Sequence, residues 1–249
     1  MPDTSSQPRR FPFLDELRGV AIVMMVAYHF LYDLVTFGGL SFPLYSTPAV
    51  IWQNCIGALF ITLSGCVSLF SRSNVRRGVK CLMGSAAVFA VTYFTAPYPA
   101  WFGVLCLLGC CMMLFPLLRP IISRIPSALG AAVCIGLFFV CYPVPSGKLW
   151  LPGGAVSMPA ALYRSHLTAL AGFPPAGFAS SDYYPLLPWL LLFVAGAFLG
   201  KLLKSASLSP GWNKSRVPAL AYLGRHSFAI YLLHQPVLFA ITWLLTKIF

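Results

Sequence analysis

Seven long apolar segments constrain this chain more than any other feature, because about 20 apolar residues in a helix cross a bilayer. Only 9% of the 249 residues are charged and 59% are hydrophobic, whereas a soluble domain carries about 25% charged residues. The sequence therefore predicts an all-α, polytopic transmembrane helix bundle of about seven spans. The predicted spans lie near residues 15–36, 48–70, 78–95, 100–118, 127–145, 186–204 and 222–246.

The basic residues between these segments predict the orientation of the chain. All but three of the 17 lysines and arginines fall in the N-terminal tail, at the start of the first span, or after the second, fourth and sixth spans. The exceptions are Lys148, Arg164 and Lys247. Because cytoplasmic loops are enriched in Lys and Arg, we expect a cytoplasmic N-terminus and an outer C-terminus. This topology accounts for the net charge of +12 without a nucleic-acid partner.

The segment pattern predicts a single domain over residues 1–249, with a polar tail at 1–12 and a long outer loop at 146–185. Within that loop, residues 149–172 are weakly amphipathic, so we expect a short or re-entrant helix there. Gly196 and Gly200 form a small-xxx-small pair that lets a neighbouring helix approach closely. The eight cysteines lie almost entirely in apolar segments, which favours packing roles over disulfides or a metal site. The sequence leaves a homodimer open.

The first span carries two ionisable side chains, His29 and Asp33, where only apolar residues are expected. Such residues are costly within a membrane and call for a partner or a function. His29 follows Arg18 by eleven residues, about 16 Å of helix, so it lies near the bilayer midplane if Arg18 marks the interface. Asp33 is one turn further, and we expect it to hydrogen-bond His29 and orient the imidazole, as in acyl-transfer sites. The alternative is a structural pair that joins two helices.

The last span carries a second histidine, His234, nine residues after Arg225. The first and last spans run in the same direction, so His29 and His234 reach a similar depth. We therefore predict a polar cavity that both histidines share. The alternative is a buried histidine that stabilises a kink at Pro236, because proline removes a helical hydrogen bond.

Asp182 is the only acidic residue on the predicted outer side. It could bind a hydroxyl or an amine of a substrate. It could equally cap the sixth span, because Asp is a favoured N-cap residue and the helix N-terminus favours an anion. At the other membrane face, Asp15 and Glu16 stand beside Arg18, and an interfacial ion pair is expected there.

Three stretches resemble the heparan-alpha-glucosaminide N-acetyltransferase catalytic-domain family, in particular its short bacterial members. LDELRGVAIVMMVAYHFLYDL is similar to the opening helix, and GFPPAGFASSDYYPLLPWLLLFVAGAFLG to a second signature. LGRHSFAIYLLHQPVLF resembles the closing helix. Arg18 and His29 also match the Arg and His of a wider set of membrane acyltransferases that modify cell-surface sugars. Asp182 and His234 match positions typical of the short bacterial group.

The resemblance implies that an acetyl group passes from acetyl-CoA to a hydroxyl or amine of a sugar, and that the protein resides in a bacterial plasma membrane. One feature departs from the family. The catalytic histidine of the lysosomal enzyme lies in the outward loop after the first span, and this chain has no histidine between residues 30 and 165. That role does not transfer to this chain.

These observations favour a membrane acyltransferase. His29 would act as general base or transient acyl carrier, oriented by Asp33, while His234 lines the same cavity. The CoA-thioester would dock on the cytoplasmic side, where basic side chains and the loop 201–225 bind its phosphates. The acceptor would enter from the outer side near Asp182. The basic residues predicted to bind substrate or cofactor are Arg18, Arg72, Arg76 and Arg77; no metal is predicted.

Two other classes of function stay open. In a small proton-coupled transporter or flippase, His29, Asp33 and His234 would form a proton relay or a polar substrate path. No inverted repeat supports that class. In a non-catalytic membrane scaffold, the same side chains would tolerate substitution.

Overall fold

The structure of the protein is a computed structural model that describes residues 11–205 and 215–248. Within these ranges, seven helices are long and apolar enough to cross a membrane, which confirms the predicted bundle of seven spans. The predicted tail 1–12 and the loop 201–225 fall partly outside the described residues. The seven helices are α1 (Pro12–Thr36), α2 (Thr47–Ser68), α3 (Asn74–Thr95), α4 (Val104–Arg124), α5 (Ser127–Cys141), α7 (Leu186–Ser205) and α9 (Ser227–Ile248).

Six shorter elements lie between the described spans, two of them 3₁₀ helices at Val144–Ser146 and Ala160–Tyr163. Two strands, β1 (Lys148–Leu151) and β2 (Gly154–Ser157), precede the six-residue helix α6 (His166–Ala171). The helix α8 (Pro218–Arg225) precedes α9. The chain divides into two compact units: residues 1–60 with 208–249, and residues 61–207. The single domain expected over 1–249 stays a prediction.

In the first unit, α1 packs against both α8 and α9. The α1–α8 contact is a contact between backbones. A Cβ atom on Gly224 would lie 1.8 Å from the Asp15 carbonyl oxygen, and one on Gly19 would lie 2.1 Å from the Leu220 carbonyl oxygen. Only glycine permits such close approach, as at small-residue helix interfaces in membranes.

Glu16 secures the beginning of α8. Its Oε1 accepts hydrogen bonds from Ser215 Oγ (2.6 Å), from the Arg216 amide (2.6 Å) and from the Val217 amide (2.9 Å). Val217 is the N-cap residue of α8 and Arg216 precedes it, so the carboxylate orders the backbone that leads into the helix. A carboxylate at this end also complements the helix dipole. Glu16 therefore fixes α8 against the first turns of α1.

The seventh span begins later than predicted. The sequence predicts one helix over 222–246, but α8 ends at Arg225 and α9 begins at Ser227. The His226 amide donates to the carbonyl oxygens of Tyr222 (3.2 Å) and Leu223 (3.1 Å). This shared bond tightens the last turn of α8 and ends it. The apolar pattern runs through this break without interruption, so composition alone does not reveal it.

The core of the first unit is apolar, with Ile22, Met25, Tyr28 and Ile56 buried together. The outer face of α9 is also apolar but exposed: Leu233 is 62% exposed and Val237 55%. A helix that is apolar on its outer as well as its inner face is typical of a membrane span. The protein is therefore an integral membrane protein.

In the second unit, α3 packs against α4, while α4 and α5 pack against α7. The close approach predicted for Gly196 and Gly200 is confirmed. Cβ atoms on these residues would lie 2.0 Å from the Thr62 carbonyl oxygen and 2.5 Å from the Cys66 carbonyl oxygen. The small pair of α7 therefore lies directly against the C-terminal part of α2. Cys66, Cys81 and Cys111 are buried, whereas Cys55 is exposed, and the packing roles expected of the cysteines stay a prediction.

The short helix expected within 149–172 of the loop 146–185 is present, but it does not cover the whole of that stretch. Strands β1 and β2 pair antiparallel there, with Lys148 opposite Ser157. Pro152 and Gly153 form the turn. Gly153 and the first strand residue, Gly154, have φ of 109° and 134°, which L-residues with side chains rarely adopt. Only His166–Ala171 is α-helical. Burial raises the pKa of the Tyr183 phenol, which donates to the Ala169 carbonyl oxygen at 2.7 Å and so anchors the helix.

Candidate functional site

Helices α1 and α9 bring the two predicted histidines into contact. The ring centroids of His29 and His234 lie 4.8 Å apart, with the ring planes at 66°. Both side chains are half-buried. The rings therefore lie at one level, as the distances in sequence from Arg18 and Arg225 predict. We refer to His29, Asp33, His234 and Gln235 as the seam site.

The hydrogen bonding of His234 fixes which ring nitrogen carries the proton. His234 Nδ1 lies 2.6 Å from the Tyr231 carbonyl oxygen, and a carbonyl oxygen only accepts. Nδ1 therefore carries the hydrogen, and in the neutral ring Nε2 keeps its lone pair. Within the described part of the chain, this Nε2 is buried and has no hydrogen-bond partner. It has the lone pair that a general base requires.

Asp33 is fully buried, with 0% of its surface exposed, and it pairs with α9. Its Oδ1 accepts a hydrogen bond of 2.8 Å from Gln235 Nε2. The expected bond from Asp33 to His29 is therefore not the one formed. The His29 ring contacts the ring of His234 instead. The side-chain amide of Gln235, the residue after His234, donates to the Asp33 carboxylate. Asp33 thus positions Gln235 and α9, whereas we expected it to orient the imidazole.

Several polar atoms on these two helices are buried without a partner. Among the described residues they include Asp33 Oδ2, Gln235 Oε1 and Thr242 Oγ1, in addition to His234 Nε2. Buried polar atoms in native proteins are nearly always hydrogen-bonded, so each exception calls for an explanation. Three of these four atoms belong to the seam site.

Aromatic side chains surround the seam site. The Tyr28 ring lies edge-on to Trp52, with centroids 5.4 Å apart, and its hydroxyl donates to Gln53 Oε1 at 3.4 Å. Tyr231 lies beside His234, with centroids 5.6 Å apart. Ring contacts of this kind restrict side-chain rotation. The histidines are therefore held in place on one side by Tyr28 and on the other by Tyr231.

Arg18 forms the ion pair expected at the start of the first span. Its Nη1 lies 3.1 Å from Asp15 Oδ1 one helical turn away, and both side chains are about one-fifth exposed, at 18% and 20%. Glu16 does not join this pair but caps α8. A partly exposed ion pair adds little stability, so Arg18 is better placed to set local charge than to hold the helices together.

The other predicted arginines surround the N-terminus of α3, in the second unit. Arg72 and Arg76 are exposed and Arg77 is half-buried. The Ser73 hydroxyl accepts from the Arg76 amide at 3.3 Å and caps the helix. A helix N-terminus attracts anions and disfavours cations, so three arginines there favour the approach of an anionic group.

Asp182 caps a helix, but not the predicted one. Its Oδ2 accepts a hydrogen bond of 3.1 Å from the Val104 amide, at the first residue of α4. The preceding segment crosses the start of α4, because Ser180 Oγ donates to the Trp101 carbonyl oxygen at 2.9 Å. Asp182 therefore caps the N-terminus of the fourth span from the outer loop, and not that of the sixth span, which the sequence offered as one alternative. Substrate binding by Asp182 stays a prediction.

The sequence alone assigns no role to Gln235 of the seam site or to Tyr231, whose carbonyl oxygen bonds His234. An amide within an apolar span is a visible signal for Gln235, since such groups seek hydrogen bonds across helices. The carbonyl of Tyr231 gives no signal, because every residue has one. Within the described ranges, no group of three or more His, Cys, Asp or Glu side chains could hold a metal ion.

Comparison with protein families identifies one model that matches this chain. The family described as heparan-alpha-glucosaminide N-acetyltransferase, catalytic, matches residues 10–236. The comparisons with curated proteins and with solved structures give no match. The matched range contains every residue predicted for the site, from Arg18 to His234, and confirms the resemblance seen in the sequence.

Proposed function

Since the chain belongs to the heparan-alpha-glucosaminide N-acetyltransferase catalytic family, we propose that it transfers an acetyl group from acetyl-CoA to a sugar or glycan acceptor. The family match supports a membrane acetyltransferase. The observation that carries the choice of site is the 4.8 Å contact between His29 and His234. One of the two rings has a buried nitrogen with a free lone pair.

Two routes use this pair of histidines. In direct transfer, an imidazole nitrogen accepts the proton of the acceptor O–H or N–H group as the acceptor atom attacks the thioester carbonyl carbon. The C–S bond then breaks, and the imidazolium returns its proton to the leaving CoA thiolate. In the two-step route, a His29 nitrogen attacks the same carbon, the C–S bond breaks, and the ring's own proton passes to the thiolate, so that CoA leaves as the thiol. The acceptor atom then attacks the acetyl carbon, the bond from that carbon to His29 breaks, and the acceptor's proton returns to the ring.

The arginines at the N-terminus of α3 have the charge needed to bind the acetyl donor, acetyl-CoA. CoA carries several phosphate groups, and arginine binds phosphate in a bidentate manner. Arg72, Arg76 and Arg77 add positive charge to a helix end that itself favours anions. We propose that this end of α3 holds the CoA phosphates on the cytoplasmic side. Arg18, which pairs with Asp15, would contribute positive charge at the same membrane face.

The acceptor is proposed to approach from the outer side near Asp182. The cap that Asp182 forms on α4 orders the segment around it. The N-in orientation is part of this proposal and follows from the distribution of basic residues. Proton-coupled transport, the alternative class, is not favoured, because the matching family is one of acetyltransferases.

The test uses purified protein in liposomes with radiolabelled acetyl-CoA and a cell-envelope glycan fraction. Thr246→Val is the matched control, because Thr246 is an exposed residue of α9 whose hydroxyl donates to the Trp243 carbonyl oxygen one turn away. Wild type and control should release CoA thiol and transfer label. His29→Ala should lower the rate roughly 100-fold or more.

Retained transfer by a correctly inserted His29→Ala protein would contradict the assignment. Solute uptake driven by a proton gradient, without release of CoA, would point to transport and contradict the enzyme. Label that stays on the wild-type protein when acceptor is omitted would identify the two-step route.

A further inference from the structure

Three unpaired atoms of the seam site share one chemical property. Asp33 Oδ2, Gln235 Oε1 and His234 Nε2 are all buried and unbonded among the described residues. Carboxylate and amide oxygens accept hydrogen bonds, and so does a ring nitrogen whose partner nitrogen carries the hydrogen. These three unbonded atoms are therefore all acceptors. A ligand that satisfies them must bring hydrogen-bond donors.

From this juxtaposition we propose that Asp33 and Gln235 bind the O–H or N–H group of the acceptor substrate. The inference rests on the proposed acetyl transfer and adds the residues that hold the acceptor. The sequence alone assigned acceptor binding to neither Asp33 nor Gln235. A carboxylate and an amide oxygen together select a hydroxyl or an amine and reject an aprotic group, because an aprotic group leaves both acceptors unsatisfied.

The placement of the pair beside the histidines suits this role. On α1, Asp33 follows His29 by one turn, about 6 Å of helix rise. On α9, Gln235 directly follows His234. The contacts between the rings (4.8 Å) and between the side chains of Asp33 and Gln235 (2.8 Å) are thus consecutive along the two helices. A donor group held by Asp33 and Gln235 would then be bound one residue along α9 from His234, whose Nε2 lone pair can accept a proton.

A purely structural role for Asp33 and Gln235 does not explain their unbonded oxygen atoms. Holding α1 against α9 requires only the bond between Asp33 Oδ1 and Gln235 Nε2. It leaves the second oxygen of each side chain buried and unbonded. Asp33 is 0% exposed, and its Oδ2 has no other partner in the part of the chain that the structure describes. Binding of a donor satisfies both oxygens.

Asp33→Asn separates the two explanations because it has the same shape. The asparagine oxygen can still accept from Gln235 Nε2, so the link between the helices is kept. Its NH₂ group replaces Oδ2 and turns an acceptor into a donor. A structural role survives this change, whereas a binding role does not.

The experiment measures equilibrium binding of two probes to the purified full chain in detergent, without acetyl-CoA. Glucosamine offers an amine and hydroxyls, and methyl glucoside offers hydroxyls alone. We expect wild type and Thr246→Val to bind at least one probe equally well. Asp33→Asn should weaken that binding at least tenfold. Binding of glucosamine alone identifies the amine as the group recognised, and binding of methyl glucoside identifies a hydroxyl.

Unchanged binding to a folded Asp33→Asn protein would overturn the inference, as would failure of both probes to bind the wild type. If the first variant does not fold, Gln235→Met keeps the length of the side chain and removes both polar atoms, and unchanged binding to the folded Gln235→Met protein would equally overturn the inference. Because acetyl-CoA is absent, a negative result bears on acceptor binding alone. The labelling assay on wild-type protein tests the proposed acetyl transfer separately.

Discussion

Gly224→Ala probes the backbone contact that joins α8 to α1. The added Cβ would lie 1.8 Å from the Asp15 carbonyl oxygen and 2.9 Å from the Gly19 amide nitrogen. Real Cβ atoms essentially never approach closer than 3.0 Å, so the two helices must separate by at least 1.2 Å at this point. Neither obstructing atom belongs to a side chain that could rotate away.

The free-energy cost follows from this geometry. Overpacking typically costs about 1–3 kcal/mol, and contact with rigid backbone places this variant near the upper end. Alanine gains about 1 kcal/mol over glycine in a helix. We therefore expect a net loss of about 2 kcal/mol in the free energy of unfolding. Gly136→Ala in α5 is the matched control, because nothing lies within 4 Å of its added Cβ.

The assay is SDS titration of the protein in mixed micelles, with helix content followed by circular dichroism. Gly224→Ala should unfold at lower SDS than wild type. Gly136→Ala should unfold at the same or higher SDS, because it keeps the gain in helix propensity without a clash. Equal stability of the two alanine variants would refute the backbone contact between α1 and α8.

Two further predictions concern the ends of α4. Lys201 Nζ donates to the carbonyl oxygens of Ile122, Ser123 and Ile125 at 3.1, 2.8 and 2.7 Å. Lys201→Met should therefore lower the free energy of unfolding by about 1–3 kcal/mol in the same SDS titration. An unchanged midpoint would show that water replaces the ammonium group. Asp182→Ala removes the cap on the Val104 amide and should cost about 1 kcal/mol. Asp182→Asn, which keeps an oxygen acceptor, should recover most of that loss, and equal losses in the two variants would contradict the cap.

The spans were predictable because the thickness of the bilayer determines how long each apolar segment must be. The common depth of His29 and His234 was predictable for a similar reason, since both positions follow from counting residues inward from a charged end. Both inferences use distance along one helix axis. They need no knowledge of how neighbouring helices are rotated.

The bond between Asp33 and Gln235 depends on that rotation. Spacing along α1 places Asp33 beside His29, but the angle of α9 about its own axis decides whether Gln235 or His234 meets the carboxylate. The cap that Asp182 forms on α4 was not predicted, for a related reason. Nearness in sequence favours the sixth span, whereas the path of the loop, bonded through Ser180 to Trp101, carries Asp182 to α4.

The central claim is that His29 and His234 act together in acetyl transfer. The most direct measurement compares acetyl transfer from radiolabelled acetyl-CoA by His29→Ala, His234→Ala and the double variant. Residues that act as a unit lose most of the rate on the first substitution. We predict a large loss in each single variant and little further loss in the double variant. Transfer at the wild-type rate in either single variant, or losses that multiply in the double variant, would contradict the claim.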